Sequence, residues 1–340
     1  MALFTAGLQV GGGAVTQVAA KAAPGDTGAA IQLEAADGQR LAARWHAGVA
    51  RATLASGGPG EVGEMGAGCK LRGAIVLAPA TGVPQTFYLR FAQWLSARGV
   101  DVLRFDFRGT AASRPQRLRG FVADFSHWTL DLDAAMGFAA SQGASPVSLI
   151  GHSIGGFLAP VAPNAVRMHR LVLVGAQSAY WRDFPHPQRW PMALLWHGVL
   201  PVVTGLVGYF PARALRMGED LPRGVALQWA ARPWRDPWDI GAFAAGYARS
   251  LPPVHLVAAD DDPFATPAAV ARVARRLAAT DLLTHTIVTG RQGPRRIGHF
   301  GLFRSACAEQ VWPRLLELAL PQAAAMDSSM PLDRQTLKDT

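Results

Sequence analysis

One run constrains this chain more than any other: Pro146-Val-Ser-Leu-Ile-Gly-His-Ser153-Ile-Gly-Gly156. Val147, Leu149 and Ile150 predict a short buried strand, and Gly156-Phe157-Leu158 opens a helix directly behind it. Between them, Gly151-His152-Ser153-Ile154-Gly155 sets a serine at the tip of a tight strand-to-helix turn. Such a turn strains the backbone of its central residue and excludes bulk two positions to either side. The helix then starts behind the hydroxyl, where its free N–H groups can stabilise an oxyanion. The bare five-residue pattern would arise by chance in roughly one chain in five of this composition. Its weight comes from the strand before it and the helix after it. The rival is an ordinary glycine-rich βα turn with a solvent-facing serine, and the rest of the chain argues against that.

The cadence around this run predicts a layered α/β architecture. Ile31–Ala35 and Leu41–Trp45 flank an Asp37-Gly38 turn and read as a hairpin. Gly73-Ala-Ile-Val-Leu-Ala-Pro79 is a continuous apolar strand, and Thr86–Arg98 follows with Phe87, Phe91, Trp94 and Leu95 at helical spacing, closed by Gly99. Val100–Phe107 is the next strand, and Trp128, Leu132, Ala135, Met136 and Ala139 mark a second helix. Leu171–Gly175, Val254–Ala259 and Leu282–Val288 continue the strands, Thr266 and Pro267 start a helix, and a last helix is expected from Phe300 to Leu320. Alternation of this kind predicts a mostly parallel sheet with helices on both faces. It breaks between 178 and 253, where six of the ten tryptophans fall (Trp181, Trp190, Trp196, Trp229, Trp234, Trp238). The expected organisation is a core over 29–177 and 254–320 with a helical cap inserted at 178–253. A loosely ordered lead-in over 1–28, a glycine-rich loop over 47–71 and a disordered tail over 321–340 complete it.

A serine hydroxyl is a poor nucleophile until a base removes its proton, and the usual base is a histidine oriented by a buried carboxylate. Both partners are present in the required places. The strand ending at Ala259 runs into Asp260-Asp261-Asp262-Pro263, which puts carboxylates at the carboxyl edge of a parallel sheet. Asp262 is the preferred acid because Pro263 fixes the chain just after it; Asp260 and Asp261 stay open as alternatives. His299 lies in Arg296-Ile-Gly-His-Phe-Gly-Leu-Phe303, past the last strand, where Gly298 and Gly301 allow a tight loop. His152, locked beside the serine, reads as a packing or bonding residue of the turn. His46, His127, His169 and His285 read as surface or capping residues.

Composition narrows the function classes. The net charge of +9 suggests nucleic acid, but only three of the 33 basic residues are lysine and the arginines are scattered. The nearest thing to a basic cluster is the short Gly293-Pro-Arg-Arg296, so no nucleic-acid partner is expected. Cys69 and Cys307 form neither a disulfide framework nor a metal site, and no phosphate loop or dinucleotide fingerprint is present, so no cofactor and no metal are expected. The first residues lack a basic segment before their apolar run, which gives a cytoplasmic expectation. Pro191–Ala212 carries no charge and is long enough to cross a bilayer of ~30 Å, but Pro201, His197 and its glycines favour kinked buried or interfacial helices.

With Ser153, Asp262 and His299 in that order, the chain resembles the α/β-hydrolase superfamily over roughly residues 29–320. Phe105-Asp-Phe-Arg-Gly-Thr-Ala-Ala-Ser113 is similar to its Asp-x-Arg-Gly-x-Gly-x-Ser loop, with Ala111 in place of the second glycine. Ala78-Pro-Ala-Thr-Gly-Val83 stands where many members have His-Gly-x. Ala80–Gln85, Gly208–Pro211 and Gly218–Pro222 resemble a bacterial group of predicted hydrolases similar to the serine aminopeptidase and monoacylglycerol-lipase-like branch. The resemblance implies a catalytic Ser153, Asp262 and His299, with an oxyanion hole from the N–H groups of Ile154 and Val83. The expected activity is a serine hydrolase cleaving an ester or thioester of a small apolar acyl substrate. The rivals are an acyltransferase with the same triad, a non-catalytic binding module and a membrane-anchored protein.

Overall fold

The computed structural model describes residues 23–49, 72–231, 241–277, 281–290 and 296–321. Residues 1–22 of the lead-in, 50–71 of the glycine-rich loop, Trp234, Trp238, Gly293–Arg295 and 322–340 of the tail lie outside the described residues.

Eight strands form one sheet in the order β1-β2-β4-β3-β5-β6-β9-β10. They are β1 (Ala29–Glu34), β2 (Arg40–His46), β3 (Ala74–Ala78), β4 (Asp101–Phe105), β5 (Val147–His152), β6 (Leu171–Val174), β9 (Val254–Ala259) and β10 (Leu282–Ile287). β7 (Tyr209–Phe210) and β8 (Leu221–Pro222) pair separately within the insertion. The hairpin expected around Asp37-Gly38 is β1–β2, and β2 also runs antiparallel to β4; every later pairing in the sheet is parallel. Parallel strands covered on both faces need apolar side chains at odd and even positions alike, and β3 to β6 are buried throughout.

The alternation of side chains splits the core in two. Val76, Leu103, Leu149 and Leu173 pack with Trp128, Leu132 and Met136 of helix Phe125–Ser141 on one face. Ile75, Leu77, Val102, Ile150 and Val172 pack on the other with Phe91 and Leu95 of helix Leu89–Ser96 and Val311, Trp312 and Leu315 of helix Ala308–Ala319. Thr266 caps helix Pro267–Arg276, accepting the Ala269 N–H at 3.2 Å.

Two segments differ from the sequence expectation. The helix expected over Phe300–Leu320 is broken into Gly298–Gly301, a 3₁₀ turn Ser305–Cys307 and Ala308–Ala319. The break comes where Arg304 N–H bonds to Gly301 O and Cys307 N–H to Arg304 O, tightening the chain to three-residue closures. The end of the lead-in is also tied down. Asp26 accepts two bonds from the Arg104 guanidinium, at 2.8 and 2.7 Å, and one from Gly28 N–H at 3.1 Å, and Arg104 is fully buried.

Between β6 and β9 the chain builds helices Arg189–Leu194, Leu200–Val207, Arg223–Ala231 and Gly241–Tyr247. This insertion docks on the edge of the sheet that carries Ser153. Glu219 N–H bonds to Gly82 O at 2.8 Å, and Tyr247 Oη–H bonds to Phe157 O at 2.8 Å.

Candidate active site

Ser153 follows β5 immediately and has φ 53° and ψ −112°, a left-handed conformation that a non-glycine residue adopts only under constraint. The constraint is close packing of backbone on backbone. A Cβ on Gly151 would lie 2.6 Å from Gly156 N, and one on Gly155 would lie 2.7 Å from Ala78 O. The glycines therefore let the turn close on itself and on the end of β3. Phe157 N–H makes the first helical bond, to Ser153 O at 2.8 Å, so the N–H groups of Ile154, Gly155 and Gly156 precede the ladder.

Asp262 and His299 meet at the same end of the sheet. His299 Nδ1 lies 2.8 Å from Asp262 Oδ2, and the two residues are 6% and 5% exposed. A carboxylate only accepts, so Nδ1 carries the proton and Nε2 presents its lone pair. The other oxygen of Asp262 accepts the N–H groups of Phe264 at 2.8 Å and Ala265 at 2.9 Å, which fixes the carboxylate's plane. A Cβ on Gly175 would sit 3.0 Å from His299 Cε1, so glycine after β6 makes room for the ring. No hydrogen bond joins Ser153 Oγ to His299 Nε2 among the described residues; such bonds are commonly long before substrate binds.

The neighbouring aspartates have other partners. Asp260 accepts Thr289 N–H at 3.0 Å and Thr289 Oγ1–H at 2.8 Å at the end of β10. Asp261 accepts the N–H groups of Ile297 and Gly298 at 2.9 and 2.7 Å and so shapes the loop that delivers His299.

The sequence model of the serine aminopeptidase family S33 matches residues 69–208, which hold Ser153 but neither Asp262 nor His299. Among solved structures, a soluble variant of monoglyceride lipase from Saccharomyces cerevisiae, in complex with a substrate analog, is similar at TM-score 0.59 and 17% identity, over 86% of this chain and 94% of that one. A putative hydrolase from Agrobacterium vitis S4 is similar at TM-score 0.54 and 16% identity, over 86% and 98%. A thermophilic esterase from Thermogutta terrifontis is similar at TM-score 0.51 and 15% identity, over 87% and 99%. No curated protein sequence matches significantly. The chain has the α/β-hydrolase fold.

One residue expected in the oxyanion hole is otherwise engaged. Val83 N–H bonds to Ala80 O at 3.1 Å, closing the turn after β3, so it is not free to meet an oxyanion. Ala80 N–H is also taken, by Tyr88 Oη at 2.9 Å. The Thr81 and Gly82 N–H groups are the ones in this turn without a partner among the described residues. Val83 is therefore corrected to a turn-closing residue.

The sequence reading missed Tyr88. Its hydroxyl lies 2.8 Å from His152 Nδ1, and His152 Nε2 lies 3.0 Å from the carbonyl oxygen of His299. The carbonyl only accepts, so His152 donates from Nε2 and accepts a hydrogen bond from the Tyr88 hydroxyl at Nδ1. Burial, reinforced by the nearby His299, holds the His152 pKa well below the usual histidine range, and burial pushes the Tyr88 pKa up. Both stay neutral, as the bonds require.

The Asp106-Phe-Arg-Gly loop is structural. Asp106 accepts Gln85 N–H at 2.7 Å and Gln85 Nε2–H at 2.9 Å, and Arg108 is shared by Asp37 and Asp131. Among the described residues, no group of three or more His, Cys, Asp or Glu side chains could hold a metal ion.

Proposed function

We propose that the protein hydrolyses a carboxylic ester or thioester through an acyl-enzyme on Ser153. The observation that carries this reading is the buried 2.8 Å contact of His299 Nδ1 with Asp262, which leaves Nε2 as a base at the sheet edge where Ser153 is held in a strained turn. In the first half-reaction Ser153 Oγ attacks the substrate carbonyl while His299 Nε2 takes the hydroxyl proton. The oxyanion is received by Ile154 N–H and by an N–H of the Thr81–Gly82 turn. Collapse breaks the bond to the alcohol or thiol, which leaves with the proton from His299. Water then attacks the acyl-enzyme, gives its proton to Nε2, and Ser153 regains one as the acid departs. Asp262 orients the imidazole and stabilises the imidazolium formed in each step.

An ester-type bond is favoured over a peptide N-terminus by the charges of the insertion. Recognition of an α-ammonium needs an available carboxylate. Among the described residues of the insertion, Asp183 is paired with Arg272 at 2.7 Å, Asp220 with Arg114 at 2.6 Å, and Glu219 with Arg213. The structural neighbours named as a lipase and an esterase agree with this preference.

Intact mass after treatment with a fluorophosphonate tests the reading. One adduct on the wild type and none on Ser153→Ala supports it; folded wild type that takes no adduct would move the protein to a binding role.

A further inference from the structure

Arg189–Val207 is long and apolar enough to cross a membrane, by length and composition. Its two faces have different surroundings. Trp196, Leu200 and Thr204 are buried, and the Trp196 ring packs on Trp229 with centroids 4.4 Å apart. With this face built into the fold, the run cannot span a bilayer without being torn from its own core. The opposite face carries Trp190, Leu194, Val202 and Leu206, which are 56%, 66%, 60% and 77% exposed. Every fourth residue of an α-helix drifts by ~40° around the axis. The wider π turn Leu195–Val199 takes up much of that drift and keeps these side chains on one outward stripe. Isolated exposed apolar residues are ordinary, but a continuous stripe along a helix marks a contact surface.

The charges around the stripe indicate what it contacts. From Phe184 to Gly218 there is no Asp or Glu; of the arginines in that stretch, Arg189 and Arg216 stand towards its ends, while Arg213 is paired with Glu219. Exposed Arg119 joins them at the helix C-terminus, its Nε–H bonded to Val207 O at 3.0 Å. Trp190, with Nε1–H bonded to His186, sits at the opposite end, an amphipathic ring suited to a headgroup boundary.

We propose that this face rests on the surface of an anionic bilayer, the helix lying in the plane of the headgroups with arginines at its ends against lipid phosphates. An apolar centre with cationic ends and no carboxylate along it matches that surface in both respects. The proposal is independent of whether Ser153 is a nucleophile.

Co-sedimentation of the full chain with vesicles of phosphatidylcholine, alone or mixed with phosphatidylglycerol, tests it. The expected result is binding to the mixed vesicles that weakens with salt. A Leu194→Gln/Leu206→Gln variant should lose about tenfold or more in vesicle affinity, with circular dichroism and unfolding midpoint unchanged because both positions face solvent. Wild type that ignores both vesicle types overturns the proposal. So does a wild-type dimer that the variant converts to monomer, since a second copy would then cover the stripe.

Discussion

Tyr88 Oη lies 2.8 Å from His152 Nδ1, and through His152 it reaches the backbone of His299. The same oxygen accepts the Ala80 N–H at 2.9 Å. One unbroken chain of hydrogen bonds thus ties the turn after β3, the turn at Ser153 and the loop of the candidate base. Ser153 and His299 come from separate segments, and this run of hydrogen bonds holds those segments in register with the turn after β3.

Tyr88→Phe removes the link and leaves Ala80 N–H and His152 Nδ1 buried without partners. The expected cost is about 2–4 kcal/mol in urea unfolding, since each unsatisfied buried group costs about 1–3 kcal/mol. Fluorophosphonate labelling of Ser153 should slow while the variant is still folded.

Asp262→Asn can keep the bonds from Phe264 and Ala265 but turns an amide N–H towards His299 Nδ1. His299 then adopts the tautomer protonated on Nε2, which is no base. Acylation of Ser153 should fall about 10⁴-fold with little loss of stability. Asp260→Asn, at the Thr289 contact, should stay near wild type in the same assay. Equal losses in both variants would remove Asp262 from its assigned role.

Acid should weaken the fold through histidines that are neutral inside it. Arg170 donates to His255 Nε2 at 3.3 Å, so His255 is held in the Nδ1–H form facing His285. Burial, with His285 and Arg170 beside it, brings its pKa down to about 4. The unfolded chain takes up this proton near pH ~6.5 and the folded chain only near 4, so its contribution is complete above ~6.5 and is lost as pH falls towards 4. Asp106 and Asp131, each raised to about 6 by burial, act in the opposite direction over an overlapping range. The difference between wild type and His255→Asn isolates the histidine. That gap should shift by about 2 kcal/mol between pH 7 and pH 5 in urea unfolding, and a gap independent of pH would count against it.

Ala111 has φ 40° in the loop that begins at Asp106, a conformation costly for a side chain with a Cβ. Ala111→Gly should raise the unfolding free energy by about 0.5–1 kcal/mol, the relief of strain exceeding the added freedom of the unfolded chain.

The sheet and the strained serine were readable because their signals are local. Strands buried on both faces carry apolar residues at odd and even positions alike, as most positions of β3 to β6 do, and backbone contact at 2.6–2.7 Å admits only glycine at 151 and 155. The choice of Asp262 among three aspartates rested on Pro263 after it and on the first two being able to cap the turn, and folding gives each of the three a separate partner. Asp26 was read as part of a loose lead-in because its partner Arg104 is 78 residues away. Val83 failed as an oxyanion donor for a similar reason: which amide of a turn is left free depends on how the turn closes, not on its composition. The tie from Tyr88 through His152 to His299 spans separations of 64 and 147 residues and has no local pattern at all. Periodicity and glycine placement are written in the order of the chain. Hydrogen bonds between distant segments exist only once packing has brought those segments together, so tertiary structure alone decides how the candidate site is held.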